Sequence, residues 1–372
     1  MNIKRHKRHK PLLPFNPLFM SLSIGIVGLP NVGKSTLFNT LTKKGVDASN
    51  YPFCTIDPNV GVVKVPDNRL NALAEISRPA KIINTVIEFV DIAGLVKGAS
   101  EGEGLGNKFL SHIRECDAIC EVVRNFVNDD IIHVDGRVDP QSDEETIHME
   151  LVFADLATVE KRLEKVAREA RSGDKEAVKL KALLEKAQAS LAQGIAVRKL
   201  ELSEDDSFLL KSLSLLTAKP MLYVLNTDEP KSAQDFNWAG ETIKINVKLE
   251  EEIASLPEEE QAEYIKELGL DQSGLDKLIR ASYKLLGLDT FFTTGADETR
   301  AWTVKHGSRA PQAAGVIHTD FEKGFIRAEV ISWEKFVEAK SEARARELGL
   351  MRTEGKDYII QDGDVCNFLV NR

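Results

Sequence analysis

The residues of this chain that could do chemistry begin with a glycine-rich loop. Residues 28–35 read Gly-Leu-Pro-Asn-Val-Gly-Lys-Ser and fit the pattern G-x-x-x-x-G-K-[ST] without a mismatch. Such a loop binds nucleotide phosphates because its glycines let backbone N–H groups approach the phosphate oxygens, and the helix that follows adds its positive dipole end. Lys34 is then expected to reach the β- and γ-phosphates, and the Ser35 hydroxyl to ligate Mg²⁺. The other predicted phosphate-binding residues of the loop are Asn31, Val32, Gly33 and Thr36.

Two further segments could support the metal ion and the γ-phosphate. Asp91 ends a nearly continuous apolar run, where a Mg²⁺-supporting carboxylate belongs, although an aspartate that only caps a turn is the alternative. Gly94 can turn its backbone N–H toward the γ-phosphate. Thr55 lies between the two motifs, where nucleotide switches supply a threonine to Mg²⁺. The sequence therefore predicts Mg²⁺ as the cofactor, with Ser35, Thr55 and Asp91 as its ligands.

These residues must be positioned by alternating strands and helices. Short apolar runs at 23–28, 86–91 and 221–225 predict buried strands, and a helical pattern begins at Lys34. Residues 119–124 favour another strand, although part of this segment could instead close a helix. The alternation predicts a doubly wound α/β sheet.

A different pattern separates the later strands. From Met149 to Val166, and again from Leu180 to Leu191, apolar residues recur at steps of three and four. Ser-Gly-Asp at 172–174 supplies a helix stop and a new N-cap, so we predict an inserted antiparallel helical hairpin. Its outer faces are rich in Lys, Arg and Glu, and they are either a solvated surface or a partner-binding arm.

The last part of the chain alternates polar and apolar residues as half-buried strands do. We predict strands at 290–293, 299–304, 325–330 and 358–360 and a helix over 333–347, which together form a small α+β domain. The expected division is a basic extension (1–19), a P-loop nucleotide-binding domain (20–146 and 217–287), the hairpin (147–216) and a C-terminal domain (288–372).

Composition and charge exclude several classes of protein. Hydrophobic residues make up 42% and charged residues 29% of the chain, and no run of about 18 apolar residues exists to span a membrane. The net charge is −9, although the first twenty residues carry five basic and no acidic side chains. An acidic body argues against a protein that coats DNA or RNA, but it leaves room for a local basic patch on an RNA partner.

The basic extension resembles a signal peptide only superficially. Prolines at 11, 14 and 17 interrupt its apolar stretch, and no small-residue cleavage site follows. We therefore expect a cytoplasmic protein whose residues 1–19 are a disordered extension or an upstream-start artefact; a basic tail that contacts nucleic acid is the alternative. The four cysteines, which lack a C-x-x-C pair, are expected to be free thiols: Cys54, Cys116, Cys120 and Cys366.

Longer motifs carry a family resemblance. Residues 28–36, 51–55 and 90–99 resemble the Obg-related branch of P-loop GTPases, and residues 102–107 extend the similarity to the Obg-like ATPase (YchF) group. Residues 318–326 look like the TGS domain of that family, a β-grasp-like module. The resemblance covers about residues 20–372. It implies an ATP-hydrolysing switch that acts with the ribosome, on the large subunit or the 70S particle.

One departure from ordinary GTPases concerns the attacking water. Many GTPases place a glutamine directly after Asp-x-x-Gly, whereas this chain has Leu95, which has no hydrogen-bonding group. The resemblance implies a substitute from elsewhere, and His133 matches a family histidine proposed for that role; a structural or exposed histidine is the alternative. The predicted catalytic residues are thus Lys34, Gly94 and His133.

The other departure concerns the base. Guanine specificity usually comes from Asn-Lys-x-Asp, but here the strand ends in Asn-Thr-Asp-Glu at 226–229. The resemblance implies that Asn226 and Thr227 read the amino and N7 edge of adenine, and an asparagine side chain can make that pair. The expected substrate is therefore ATP. A GTPase of the Obg group and a nucleotide-gated binding protein with incidental turnover are the alternatives, and a monomer is favoured.

Overall fold

A computed structural model describes residues 22–45, 57, 59–92, 105–128 and 137–371. The first part of the chain contains β1 (Ser23–Val27), α1 (Lys34–Lys43), β2 (Val60–Lys64), α2 (Asn68–Ser77), β3 (Lys81–Ile83), β4 (Val86–Asp91), α3 (Leu105–Glu115) and β5 (Ala118–Asn125). The middle contains α4 (Pro140–Ala170), α5 (Lys175–Leu191), α6 (Glu204–Lys211), β6 (Met221–Thr227), β7 (Glu241–Ile245), α7 (Val247–Ser255), α8 (Glu258–Glu267) and α9 (Gly274–Leu285). The last part contains β8 (Leu288–Thr294), β9 (Glu298–Lys305), α10 (Ala310–Ile317), α11 (Thr319–Lys323), β10 (Phe325–Ser332), α12 (Trp333–Ala339), α13 (Glu342–Glu347), β11 (Arg352–Glu354) and β12 (Asp364–Val370).

The first sheet is the doubly wound α/β sheet that the sequence predicts. Its strand order is β2-β4-β1-β5-β6-β7. All neighbouring strands run parallel except β2, which pairs antiparallel with β4. The segment at 119–124 is strand rather than helix, since it lies within β5. Because the carboxyl ends of parallel strands meet at one edge, this order brings the ends of β1, β4 and β6 to the place where ligands bind in such folds.

The helical arm, α4 and α5, packs as an antiparallel pair with an apolar cluster of its own. Asp139 caps α4, so the helix begins at Pro140, before residue 147, where we expected the insertion to start. The first turns of α4 contribute Ile147 and Leu151 to the core of the first sheet. The base of the arm is therefore continuous with the nucleotide-binding part.

The second sheet has the order β11-β10-β12-β8-β9-β3 and mixes parallel and antiparallel pairs. Its last strand, β3, comes from the segment that we assigned to the nucleotide-binding domain. The helix α2, which precedes β3, buries Leu70 and Leu73 against Phe292 and Ile331 of this sheet. The two sheets are thus joined through one continuous stretch of chain.

Two local predictions in the last part were wrong. The strand expected at 358–360 is only an isolated bridge between Arg309 and Ile359, and the terminal strand is β12 instead. The helix expected over 333–347 breaks into α12 and α13, because Lys340 adopts a left-handed conformation with a φ of 61°.

The cysteines that lie within the described residues are free, as predicted, and the structure buries all three: Cys116, Cys120 and Cys366. Burial raises the pKa of Cys116 to about 11 and that of Cys120 to about 12, so these thiols stay protonated at neutral pH. Among the described helices, none combines the length and apolar character needed to cross a membrane.

Candidate nucleotide-binding site

The glycine-rich loop connects β1 to α1 with the backbone that a phosphate cradle requires. Gly33 has a φ of 100°, which disfavours any residue with a Cβ, and a Cβ there would lie 2.5 Å from Asn226 Nδ2. A Cβ on Gly28 would lie 2.5 Å from the carbonyl oxygen of Val122. Asn31 also has a positive φ, of 63°. The backbone of the loop therefore takes a path that favours glycine at positions 28 and 33, and it leads into the N-terminus of α1, the end of a helix that favours anions.

Lys34 is the first residue of α1, and its side chain is buried inside the loop. Its Nζ donates a hydrogen bond of 2.7 Å to the carbonyl oxygen of Leu29. Burial lowers the pKa of Lys34 to about 8, and the nearby charge of Asp91 partly opposes this effect. A desolvated ammonium interacts strongly with an incoming anion, so this lysine is placed to bind phosphate.

Asp91 lies beside the loop, because β4 pairs with β1 in a register that sets Asp91 opposite Ile26. Burial raises the pKa of the Asp91 carboxyl above its ordinary value, and the positive charge of Lys34 opposes this shift only in part. Its Oδ1 is buried and has no hydrogen-bond partner within the described part of the chain. A buried carboxylate oxygen without a partner fits a hard cation such as Mg²⁺. The exposed Ser35, one residue after Lys34, can supply the hydroxyl ligand.

No group of three or more His, Cys, Asp or Glu side chains that could hold a metal ion exists among the described residues. Mg²⁺ at nucleotide sites needs only one or two carboxylates, with substrate phosphates and waters completing its coordination. The residues present therefore fit a Mg²⁺ ion that arrives with the nucleotide.

Asn226, at the end of β6, joins three parts of the site. Its Nδ2 donates to the carbonyl oxygen of Val32 at 2.9 Å, and its Oδ1 accepts from the backbone N–H of Val247 at 3.2 Å. The side chain is buried, so these bonds fix the loop against the start of α7. Thr227 is also buried, and Asn125 Nδ2 lies 3.4 Å from its Oγ1. Direct contact of either residue with the base stays a prediction.

Sequence reasoning missed this positioning role of Asn226 and also missed Arg124. Arg124 is buried at the end of β5, where its Nε donates to the carbonyl oxygen of Phe126 at 3.1 Å. Its guanidinium carbon lies 4.4 Å from the centre of the Phe126 ring. The signal in the sequence that could have indicated Arg124 is a charged residue near the end of the apolar strand β5. This strand lies beside β6, in which Asn226 is the residue that pairs with Arg124.

Four predicted positions lie outside the described residues and stay predictions: Thr55, Gly94, Leu95 and His133. The structure thus brings together the loop residues from Asn31 to Thr36, Asp91, Asn226 and Thr227 at one edge of the first sheet.

Comparison with known proteins places this geometry in a family. Residues 23–155 match a family described as 50S ribosome-binding GTPase, and residues 288–371 match the YchF-GTPase C-terminal family, described as a protein of unknown function. The chain is 52% identical to "Ribosome-binding ATPase YchF" of Bacillus subtilis (strain 168) and 53% identical to the protein of that name from Escherichia coli O157:H7, and each alignment covers 95% of this chain and all of the relative. The solved structure of the Schizosaccharomyces pombe YchF GTPase matches with a TM-score of 0.83 at 39% identity, over 94% of this chain and 98% of that chain. With relatives this similar over nearly the whole chain, the protein belongs to the YchF family of P-loop nucleotide hydrolases.

Proposed function

We propose that this protein binds ATP with Mg²⁺, hydrolyses it to ADP and phosphate, and uses the change at the γ-phosphate to control its association with the ribosome. The observation that carries the proposal is the buried Lys34 inside the phosphate loop, near an Asp91 Oδ1 that has no hydrogen-bond partner among the described residues. The bacterial relatives are named ribosome-binding ATPases, which supports both the substrate and the partner.

The residues of the loop would act mainly by positioning and by electrostatic stabilisation. Phosphoryl transfer spreads negative charge over the oxygens of the γ-phosphate, and Lys34 is placed to neutralise part of that charge. Ser35 and Asp91, with Thr55 as predicted, would hold Mg²⁺, which when bound neutralises charge on the β- and γ-phosphates. Gly94 would donate its N–H to the γ-phosphate, and His133 would orient the attacking water.

The base-binding strand supports ATP over GTP. In the usual guanine motif an aspartate accepts bonds from guanine, and Glu229 stands at that position here. The Glu229 Oε2 atom accepts a hydrogen bond of 2.7 Å from Ser232 Oγ, so the carboxylate is engaged within its own loop. We therefore propose ATP as the substrate, although the S. pombe relative is named a GTPase.

The ribosomal role implies a cytoplasmic protein, and we propose that it acts as a monomer. Its proposed domains are those of the sequence division: the extension 1–19, the nucleotide-binding domain 20–146 and 217–287, the arm insertion 147–216 and the C-terminal domain 288–372.

The test is ATP turnover of wild type, Lys34→Ala and Lys43→Ala, each with and without 70S ribosomes. Lys43 is the matched control because it lies at the other end of α1 with a half-exposed side chain. Lys34→Ala is expected to lower kcat/KM by at least about 100-fold, the typical effect of removing a transition-state donor, and Lys43→Ala to leave it unchanged. Equal turnover in the two variants would overturn the phosphate-site assignment.

Ribosomes are expected to stimulate ATP turnover by the wild type. Nucleotide-dependent ribosome binding without stimulation of turnover would instead favour a binding protein whose turnover is incidental.

A further inference from the structure

The tip of the helical arm is a basic surface on an acidic molecule. We define the arm tip as residues 161–181, the last turns of α4, the connecting turn and the first turns of α5. It contains eight basic and four acidic residues, a net charge of +4, whereas the whole chain carries −9. A polyanion that approaches this protein is therefore repelled by most of the body and attracted by the arm tip.

Four basic side chains, three on α4 and one at its C-cap, form the tip stripe: Lys161, Lys165, Arg168 and Arg171. They follow one another at steps of four, three and three, so they share one helix face, and all four are exposed. This face lies opposite the one that buries Val159 and Val166 against α5. On α5, Lys179 and Lys181 form ion pairs with Asp206 and Glu185. The stripe forms no ion pair with any described residue, so its charges are available to a partner.

The arm also carries the stripe away from the first sheet. The base of α4 is anchored where Asp155 accepts bonds from Leu216 and Thr217, and where Arg114 donates to Thr158 Oγ1 at 3.0 Å. From Thr158 the helix continues to Ala170, which is about 18 Å at 1.5 Å per residue. The turn then reverses at Gly173, around which a Cβ would contact nothing within 4 Å. The tip is therefore open for a macromolecular partner to approach.

We propose that the tip stripe binds the phosphate backbone of structured RNA, an inference that rests on the proposed association with the ribosome. From Lys161 to Arg171 the stripe is about 15 Å long, which is long enough to contact several phosphates of a nucleic-acid backbone. Protein–protein interfaces draw most of their affinity from a few buried residues, which are enriched in Trp, Tyr and Arg, and the arm tip contains no aromatic residue. Among the described residues of the arm tip, Val178 on α5 is the one exposed large apolar side chain, and none lies along the tip stripe. A row of unpaired cations without an apolar anchor fits a phosphate backbone better than an acidic protein surface.

The experiment compares two triple charge reversals in the full chain. The arm variant is Lys161→Glu/Lys165→Glu/Arg168→Glu. The control variant, Lys266→Glu/Lys335→Glu/Lys356→Glu, makes the same change in charge at three lysines that are also exposed. Both keep residues 1–20, so any contribution from that basic segment is common to them. Each protein is tested for binding to protein-free ribosomal RNA over a series of salt concentrations, for co-sedimentation with 70S ribosomes, and for basal ATP turnover.

The arm variant is expected to bind ribosomal RNA at least about tenfold more weakly than wild type. Its slope of log K against log salt should be smaller by about 2 to 3, since each lost phosphate contact removes about 0.7 to 0.9. The control variant should bind like wild type, and basal turnover should be unchanged in both. Equal RNA affinity and salt slope in all three proteins, equal losses in both variants, or a wild type that does not bind the RNA would overturn the inference.

The two binding measurements separate this inference from the proposed function. A wild type that does not co-sediment with ribosomes contradicts the proposed ribosomal role, while arm-dependent RNA binding would still support the stripe. Ribosome binding by wild type and arm variant alike leaves the proposed role intact and overturns the stripe. Loss of ribosome binding by the arm variant with unchanged RNA affinity would assign the arm to a ribosomal protein and overturn the RNA assignment.

Discussion

At the scale of single residues, the phosphate site depends on a lysine whose charge its surroundings oppose. The loop buries the Lys34 ammonium and offers it one carbonyl oxygen, that of Leu29. A bound triphosphate would add several negative oxygens and favour the protonated form. We therefore expect nucleotide binding at this site to be linked to protonation of Lys34.

We predict that ATP affinity falls as the pH rises above about 8. In the free protein the pKa of Lys34 is lowered to about 8, so above this pH the binding of ATP requires uptake of a proton. The dissociation constant should rise by up to about tenfold per pH unit between pH 8 and 9.5, as expected for one linked proton. Calorimetric titration with ATP at a series of pH values from 7 to 9.5 measures this dissociation constant. Lys34→Arg, which stays charged, should show no such rise, and parallel profiles for the two proteins would refute the linkage.

The lowered pKa of Lys34 also makes the free energy of unfolding of the free protein depend on pH. Between the folded pKa of about 8 and the ordinary lysine value of 10.5, the unfolded chain holds more protons on this residue than the folded chain. The contribution of Lys34 to the free energy of unfolding therefore increases with pH across that window. Below pH 8 the buried charge has its full destabilising effect.

At the scale of elements, a buried carboxylate near the base of the arm ties α4 to the segment that returns to the first sheet. Asp155 of α4 is fully buried and accepts hydrogen bonds from Leu216 N, Thr217 N and Thr217 Oγ1 at 2.9, 2.7 and 2.7 Å. These residues form the short 3₁₀ turn Leu216–Ala218, which leads directly into β6 and Asn226. The contact thus fixes the return of the chain from the arm to the nucleotide site.

Asp155→Ala is expected to lower the free energy of unfolding by about 3 kcal/mol. The substitution leaves two buried N–H groups without partners, and each such group costs about 1 to 3 kcal/mol. Urea unfolding followed by circular dichroism measures the change. Glu169→Ala, at an exposed position of the same helix, is the control and should stay within about 0.5 kcal/mol of wild type. Equal effects of the two substitutions would show that the carboxylate does not hold the arm.

The elements that could be predicted from sequence are those with local signals. β1, β4, β6 and the two arm helices have apolar periodicity or caps that their own residues determine. The short strand β3 is defined by pairing with β9, more than two hundred residues away, and no local pattern indicates it. At 358–360 the chain makes only the isolated bridge to Arg309, so the alternating pattern there is not extended into a ladder by a neighbouring strand.

The candidate site likewise combines a motif that the sequence indicates with contacts that only the fold brings about. The phosphate loop is a contiguous motif whose chemistry is local, so the sequence indicates it directly. The bond from Asn226 to Val32 joins residues 194 positions apart, and only the fold brings them together. The burial and hydrogen bonds of Arg124 could not be predicted either, since they depend on the backbone path of residues 126–128.

At the scale of the whole molecule, the two sheets share parts of one segment. α2 and β3 lie between β2 and β4 of the first sheet in sequence, yet they pack on and extend the second sheet. Arg69 of α2 adds ion pairs with Asp67 and with Asp362, which precedes β12. The nucleotide-binding part is therefore structurally completed by the C-terminal part.

We predict that a fragment ending at residue 287 does not keep the stability of the full chain. Removing β8 to β12 uncovers Leu70 and Leu73, which are fully buried in the intact protein. The fragment should have a lower Tm and bind a hydrophobic dye such as ANS, because an exposed apolar face remains. Thermal unfolding and dye fluorescence measure both effects. A fragment with the Tm of the full chain and no dye binding would mean that the two parts fold independently.

The central claim, that this phosphate loop serves an ATPase, is tested most directly by comparing the dissociation constants of ATP and GTP in the presence of Mg²⁺. The guanine-binding aspartate is replaced by Glu229, whose Oε2 already accepts a hydrogen bond from Ser232 Oγ, so this carboxylate is less free to pair with guanine. We expect ATP to bind at least about tenfold more tightly than GTP, the effect of about 1.4 kcal/mol. Equal affinity, or tighter binding of GTP, would contradict the account.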